Sequence, residues 1–144
     1  MTIPKLSLKE LNLMNRSSLM ESLGIEYLEV KEGYVKARMP VDTRTIQPVA
    51  NILHGGASLA LAETIGSLGS ILMVDADYFD VRGAQISANH VRPATSGYVT
   101  GEARIIYQGN NTHLWNIDIR NENGELVSTA RLTNFIIPKL RRKS

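Results

Sequence analysis

Residues 54–74, HGGASLALAETIGSLGSILMV, are too many for a single strand, and their apolar side chains are not confined to one stripe. A helix that is apolar all round is buried inside a protein, so this stretch predicts a central buried helix. Glu63 is its single charged residue. Because removing an isolated carboxylate from water costs several kcal/mol, Glu63 is the first candidate for a functional residue.

The helix neighbours of Glu63 are small. Three, four or seven positions away lie Ala60, Gly66, Ser67 and Ser70, which share a helix face with it. This face is partly polar and carries one acid. The pattern therefore predicts a groove beside Glu63 in which a ligand could bind.

The start of the helix offers a second functional feature. Gly55 and Gly56 let the backbone turn tightly and leave N–H groups free. These groups and the positive end of the helix dipole favour an anion or a developing oxyanion. The sequence thus predicts an oxyanion site at one end of the helix and a carboxylate two turns further on.

These two groups cannot serve the same carbonyl within one chain. Gly56 and Glu63 are separated by about 10 Å along a straight helix, whereas a reacting carbon must lie roughly 3 Å from both groups. A second, antiparallel copy of the helix would place Glu63 of one subunit beside Gly55 and Gly56 of the other. We therefore expect a two-fold symmetric dimer with two equal sites.

Composition narrows the class of protein. The 144 residues suit one domain, 43% are hydrophobic, and the net charge of +2 is too small for a nucleic-acid-binding footprint. The absence of cysteine excludes disulfides, thiolate metal sites and a cysteine nucleophile. A membrane span is disfavoured because residues 57–74 are few and would place Glu63 in mid-bilayer. Residues 1–10 lack the apolar core of a signal peptide, so we expect a cytoplasmic protein.

The rest of the chain predicts one domain over residues 1–144 in which a strand pair, one long helix and a strand meander follow each other. This order favours an α+β fold, an antiparallel sheet with the helix on one face. Residues 1–24 form an N-terminal helical segment with a capping box at Ser7, residues 75–82 form a loop or short helix, and residues 138–144 form a basic tail. The expected strands cover residues 25–32, 34–41, 84–93, 98–108, 113–121 and 125–137.

Three segments carry a family resemblance: HGGASLALAETIGS, PVDTRTIQP upstream of it, and ISANHVRPATSG downstream, together with the strand around Trp115. In this order they resemble hotdog-fold acyl-CoA thioesterases of the PaaI-like branch, which holds Glu-dependent 4-hydroxybenzoyl-CoA thioesterase and 1,4-dihydroxy-2-naphthoyl-CoA hydrolase. The resemblance covers roughly residues 8–137. It implies a curved antiparallel sheet wrapped around the central helix, and hydrolysis of an aryl- or medium acyl-CoA to the free acid and coenzyme A.

Glu63 would then act on the thioester carbonyl, either as a nucleophile that forms a mixed anhydride or as a general base that activates water. The resemblance implies that Gln47, His54 and Gly55 polarise the carbonyl or order the water, and that Ser67 holds water or the carboxylate. A structural imidazole is the alternative for His54. In relatives this His usually follows this Gln by six positions, whereas here His54 follows Gln47 by seven. Either Asn51 is a bulge or the loop is displaced.

The resemblance also implies a coenzyme A site on two segments. One is the strand that ends in His90, Val91, Arg92 and Pro93, with Gly83 before it; Arg92 could pair with a phosphate or be an exposed charge at the strand end. The other is Tyr107 and the loop of Gly109, Asn110, Asn111 and Thr112.

We further expect no metal, no cofactor apart from coenzyme A as part of the substrate, and self-association as a dimer or a dimer of dimers. The basic tail is either a solvated end or an aid in holding a phosphate. Two other functions stay open, a hotdog hydroxyacyl dehydratase and a non-catalytic acyl-CoA binding module. An intact Glu63 argues against the binding module.

Overall fold

The computed structural model describes residues 6–140. Six antiparallel strands form one curved sheet in the order β1-β2-β4-β5-β6-β3, and the long helix α3 lies on its inner face. The α+β arrangement predicted from the sequence is confirmed. The elements are α1 (Leu8–Leu13), α2 (Leu19–Leu23), β1 (Glu26–Lys31), β2 (Tyr34–Pro40), α3 (Gly55–Ile71), β3 (Phe79–His90), β4 (Tyr98–Gln108), β5 (Thr112–Arg120) and β6 (Leu126–Pro138).

The core lies between α3 and the inner face of the sheet. Alternate residues of the strands point inward, as the two-residue period of a strand requires. Leu61 and Ile65 of α3 are fully buried against them. The inward set that is fully buried on the sheet comprises Val35, Ala37, Met39, Val99, Ala103, Trp115, Ile117, Ile119 and Leu132.

Strand β3 forms one edge of the sheet. It pairs with β6 over its whole length, from Phe79 opposite Pro138 to His90 opposite Ser128. The register shifts between Gly83 and Gln85, so that Ala84 is an extra, bulged residue. Within the described part of the chain its other side has no strand neighbour, which leaves a row of backbone N–H and C=O groups unpaired.

The N-terminal helices close one side of α3. Ser7 is the N-cap of α1, as predicted: its hydroxyl accepts from the Glu10 N–H and donates to the Glu10 carboxylate. Helix α1 is bound to β1 by a reciprocal pair of hydrogen bonds between the Asn12 amide and the Tyr27 backbone, at 3.1 and 2.8 Å. The two ends of the segment from Asn12 to Tyr27 are therefore bound to each other.

The structure corrects several element boundaries. The central helix ends at Ile71 rather than running to residue 74, and a turn bond from the Met73 N–H to the Ser70 carbonyl follows it. The predicted loop over residues 75–82 is wrong in its second half, since β3 begins at Phe79 and ends at His90 instead of covering residues 84–93. Strand β3 starts early because residues 79–82 pair with the end of β6, and backbone hydrogen bonds hold even a polar edge segment in a strand.

The end of the chain is described only to residue 140. Residues 141–144 of the predicted basic tail lie outside the described residues. The Lys139 ammonium donates to the Ala76 carbonyl at 2.6 Å and lies 3.8 Å from the Asp80 carboxylate. Between residues 6 and 140, no helix is long and apolar enough to cross a membrane.

Candidate active site

His54 is the N-cap of α3. Its Nδ1 atom accepts a hydrogen bond of 2.7 Å from the Gly56 N–H, while the His54 backbone N–H donates to the Thr45 carbonyl. The expectation that both glycine amides are free is therefore wrong, because the imidazole occupies that of Gly56. The Gly55 N–H has no acceptor among the described residues. It remains the amide that a developing oxyanion could reach.

Gly55 opens onto a cavity of about 460 Å³ that brings together several predicted site residues. His90 forms part of its wall, and its Nδ1 atom lies 2.9 Å from the Ser128 hydroxyl. A Cβ at position 55 would lie 2.7 Å from His90 Nε2, so this close approach requires glycine. Of the predicted residues, the lining contains Gln47, Gly55, His90, Val91, Arg92 and Pro93.

The loop that carries Gln47 accommodates the additional residue by a left-handed turn. Asn51 has φ of 52°, and the Gln47 N–H donates to the Ile52 carbonyl at 2.8 Å. This observation favours the bulge at Asn51 over a displaced loop. The Gln47 side-chain oxygen accepts from the Val49 and Ala50 amides at 2.6 and 3.2 Å, which orients the side chain at the cavity.

Glu63 is exposed, and this corrects the expectation of a carboxylate in apolar surroundings. Glu63 lies on the side of α3 that faces the edge strand β3. A Cβ at position 83 would overlap Glu63 Oε1, so the carboxylate lies directly against the Gly83 backbone. Among the described residues it has no hydrogen bond or ion pair. The acid is therefore held beside β3 without a partner.

Glu63 and Ser67 border a second cavity of about 400 Å³, which shares no lining residue with the first. His54 borders a third, of about 270 Å³, together with Gly56. Within one chain, Glu63 and Ser67 are therefore separate from Gln47 and Gly55. This separation agrees with the prediction from the helix spacing.

The predicted coenzyme A residues also fall into two groups. Arg92 forms an ion pair with Glu125 at 3.1 Å and is about half exposed, with a side-chain exposure of 49%. The strand registers place the two groups at opposite ends of the sheet. At one end Thr112 pairs with Phe135, and Phe135 with Arg82. At the other end His90 pairs with Ser128, and Ser128 with Ile119. The 109–112 loop therefore lies about 23 Å from His90, seven residues along β5.

Gly83 belongs to the loop end of the sheet and not to the His90 end. The loop itself is tight: the Gly109 N–H donates to the Thr112 carbonyl at 2.9 Å, and the Asn111 carbonyl accepts from Ile136. Tyr107 is 60% exposed and packs its ring against Gly109. Asn110 is exposed beside it.

Ser70 lies two turns from Glu63 on the same face of the continuous helix α3, as predicted, but it does not border the groove beside Glu63. Ser70 is fully buried, and its hydroxyl lies 2.8 Å from both His113 Nδ1 and Trp115 Nε1, and 2.9 Å from Asn134 Nδ2. At this end of α3 the serine meets strands β5 and β6. Isolated polar residues in two apolar strands, His113 and Asn134, were the signal for this cluster.

A second set was missed on the N-terminal side. Asn15 and Tyr27 are buried and line the cavity beside Glu63. Their separation along the sequence gives no periodic signal, and the two come together because α1 packs on β1, where the reciprocal bonds of Asn12 hold it.

Comparison with known proteins agrees with this geometry. The model of the thioesterase superfamily matches residues 50–128. The proofreading thioesterase EntH of Klebsiella pneumoniae is 40% identical over 92% of this chain and 96% of its own length. The 1,4-dihydroxy-2-naphthoyl-CoA hydrolase of Escherichia coli K12 is 39% identical over 92% and 96%.

Solved structures show the same fold. A crystal structure of a thioesterase from Haemophilus influenzae superposes with a TM-score of 0.90 at 44% identity, covering 97% of this chain and 96% of that chain. The sheet wrapped around α3 is the hotdog arrangement that the resemblance implied. The chain thus belongs to the thioesterase superfamily and is a thioester hydrolase with the hotdog fold.

Proposed function

We propose that the protein hydrolyses an acyl-CoA thioester to the free acid and coenzyme A. The observation that carries this proposal is the pair of unpartnered groups on α3, the Gly55 N–H and the Glu63 carboxylate. The amide would polarise the thioester carbonyl and stabilise the oxyanion that develops on its oxygen. No strong general acid is needed, because a thiol with a pKa near 8.5 leaves readily as a thiolate.

Glu63 can act in either of two ways. As a nucleophile, its carboxylate oxygen bonds to the acyl carbon while the carbon–sulfur bond breaks, and water then hydrolyses the mixed anhydride. As a general base, it takes a proton from water, whose oxygen attacks the carbon directly. Both routes need the carboxylate and the Gly55 amide at the same acyl group. Gln47 and Ser67 would orient water or the carbonyl from the two sides.

A two-fold dimer would bring these groups together. Gly55 contacts His90 and Glu63 contacts Gly83, so α3 and β3 run in opposite directions. If β3 pairs antiparallel with its copy so that Gly83 faces the partner's His90, Glu63 lies beside the partner's Gly55. The unpaired edge of β3 supplies the backbone groups for such pairing.

The bulge at Ala84 sets the register of this pairing. Counting Ala84 as the extra residue, Gly83 opposite the partner's His90 places Gln85 opposite Asn89 and Ser87 opposite its own copy. We therefore place the two-fold axis at Ser87. In this register the inward-facing residues of β3 and of its copy lie on the same side of the joined sheet.

The same arrangement would join the two halves of the coenzyme A site. Antiparallel pairing brings residues 90–93 of one subunit to the end of the sheet where the partner carries Gly83 and the 109–112 loop. One dimer would thus bring together Gly55 and Glu63, which are separated along α3, and the two coenzyme A segments, which are separated along the sheet.

A second interface would make a dimer of dimers. Large apolar side chains are exposed near the 109–112 loop, although charged or polar residues are the usual cover of a sheet exposed to water. These side chains are Ile106 at 48% exposure, Tyr107 at 60%, Phe135 at 48% and Ile137 at 42%. We propose that this patch is covered by another dimer.

The acyl group proposed is an aryl or medium-length one. The name of the Escherichia coli relative refers to an aromatic acyl-CoA. The apolar cavity beside Glu63, at about 400 Å³, has room for a ring of this kind.

The test is a panel of acyl-CoA thioesters with a dye that detects the released thiol. We expect turnover by the wild type and a loss of kcat of about 100- to 10,000-fold in Glu63→Ala, with coenzyme A binding retained. Glu29→Ala is the matched control, since Glu29 is exposed on β1 and pairs only with Lys31 among the described residues. Full activity of Glu63→Ala would contradict the proposed role.

A further inference from the structure

The cavity beside Glu63 has apolar walls. On one side, Ala60, Thr64, Ser67 and Ile71 follow the helix face of Glu63. The opposite wall comes from α1, α2, the turn between them and β1, through Leu11, Met14, Leu19, Met20 and Tyr27. Methionine sulfur and an aromatic side chain make favourable contacts with a ring. The walls therefore suit a flat, largely apolar group.

One polar group interrupts these walls. Asn15 is only 5% exposed, and its Nδ2 atom is buried without a hydrogen-bond partner within the described part of the chain. A buried amide donor without an acceptor costs free energy and is rare in folded proteins. Nδ2 has almost no accessible surface of its own, but Asn15 lines the cavity, so a rotation of its carboxamide lets Nδ2 donate to a group that fills it.

The amide orientation follows from its neighbour. Tyr27 as a residue is only 4% exposed, and its hydroxyl donates to Asn15 Oδ1 at 3.4 Å. This leaves Nδ2 as the free end of the amide, because a carboxamide with its oxygen bound offers only N–H donors. The backbone around Asn15 is held in place, since Asn12 binds the Tyr27 backbone in both directions and the Asn15 backbone carbonyl accepts from the Ser18 hydroxyl at 2.5 Å.

We propose that Asn15 is a specificity-determining residue of the thioesterase. Its Nδ2 group donates a hydrogen bond to an acceptor oxygen on the acyl group, remote from the thioester that meets Glu63. An acyl group without such an oxygen leaves the amide desolvated and unpaired and is therefore turned over less efficiently. This inference rests on the proposed function and deepens it.

The experiment compares benzoyl-CoA with its three ring-hydroxylated forms. For the wild type we expect kcat/KM at least about 10-fold higher for one hydroxylated thioester than for benzoyl-CoA, because a site that hydrogen-bonds an oxygen rejects the analogue that lacks it. In Asn15→Leu, a substitution of similar size, this ratio falls to near one, through loss on the hydroxylated substrate and retained or raised turnover of benzoyl-CoA.

Asn12→Ala is the matched control. It removes the hydrogen bonds between α1 and β1 but no group that lines the cavity. It therefore lowers kcat/KM for both substrates in proportion and preserves their ratio. Equal kcat/KM for all four thioesters in the wild type would overturn the proposal. So would an unchanged ratio in Asn15→Leu, which would assign the amide to the polar cavity on its other side, bordered by Arg16 and Glu21. Absence of turnover with every acyl-CoA would instead refute the proposed function.

Discussion

At the scale of single residues, His113 shows how burial fixes an ionisation state. The Ser70 hydroxyl receives hydrogen bonds from Trp115 Nε1 and Asn134 Nδ2, so its own proton is left to donate to His113 Nδ1. The imidazole is then neutral, with its proton on Nε2. Burial also lowers the pKa of His113 below its ordinary value of 6.5.

The free energy of unfolding should therefore fall as the pH drops below about 6.5. The unfolded chain takes up a proton on this imidazole there, whereas the folded chain resists it, so acid favours unfolding. Urea denaturation at pH 7.5 and 5.5 measures the change. His113→Gln keeps an acceptor for Ser70 but cannot titrate, and should show a smaller loss between the two pH values. Equal losses in wild type and variant would contradict this role of His113.

At the scale of elements, β3 carries the proposed assembly. Ser87 and Gln85 are both exposed on this edge strand. If Ser87 faces its own copy, the two Cα atoms lie about 4.5–5.5 Å apart, a separation that a disulfide can span. Because the natural chain has no cysteine, a single Ser87→Cys substitution gives an unambiguous reporter.

We expect Ser87→Cys to form a disulfide-linked dimer on mild oxidation, visible on a non-reducing gel. Gln85→Cys is the control on the same strand, since the proposed register separates the two copies by about 13 Å. Cross-linking of Gln85→Cys in preference to Ser87→Cys would place the axis elsewhere. Light scattering that shows an active monomer would exclude the shared site altogether.

The elements also show what the sequence can and cannot predict. Strand β4 has the predicted bounds, because turns at Gly97 and Gly109 enclose it. The start of β3 was missed because Asp80 and Arg82 face outward on an edge strand and hide the apolar alternation. Such a segment is defined by its pairing with β6, and pairing between distant segments leaves no local pattern.

The candidate site divides in the same way. Glu63 stands out in the sequence as a lone charge in an apolar helix, and its spacing from Gly56 predicts a site shared by two chains. The exposure of Glu63 could not be predicted, because composition does not tell which side of a helix the sheet leaves open. The hydrogen bond of Gly56 to His54 was missed since histidine is not among the residues that usually cap a helix.

At the scale of the whole molecule, α3 places the two halves of the proposed reaction centre in separate cavities of one chain, so the proposed mechanism needs two chains. Two inactive variants should therefore rescue each other. Glu63→Ala lacks the carboxylate, and in Gly55→Ala the added methyl would strike His90 and displace the amide. Refolded together in equal amounts, they should recover about a quarter of the wild-type activity, because half the dimers are mixed and each holds one intact centre. A chain that carries both substitutions should show no activity when it is refolded with either single variant. Refolded with wild type, it should lower the wild-type activity, because both centres of the mixed dimer lack one group.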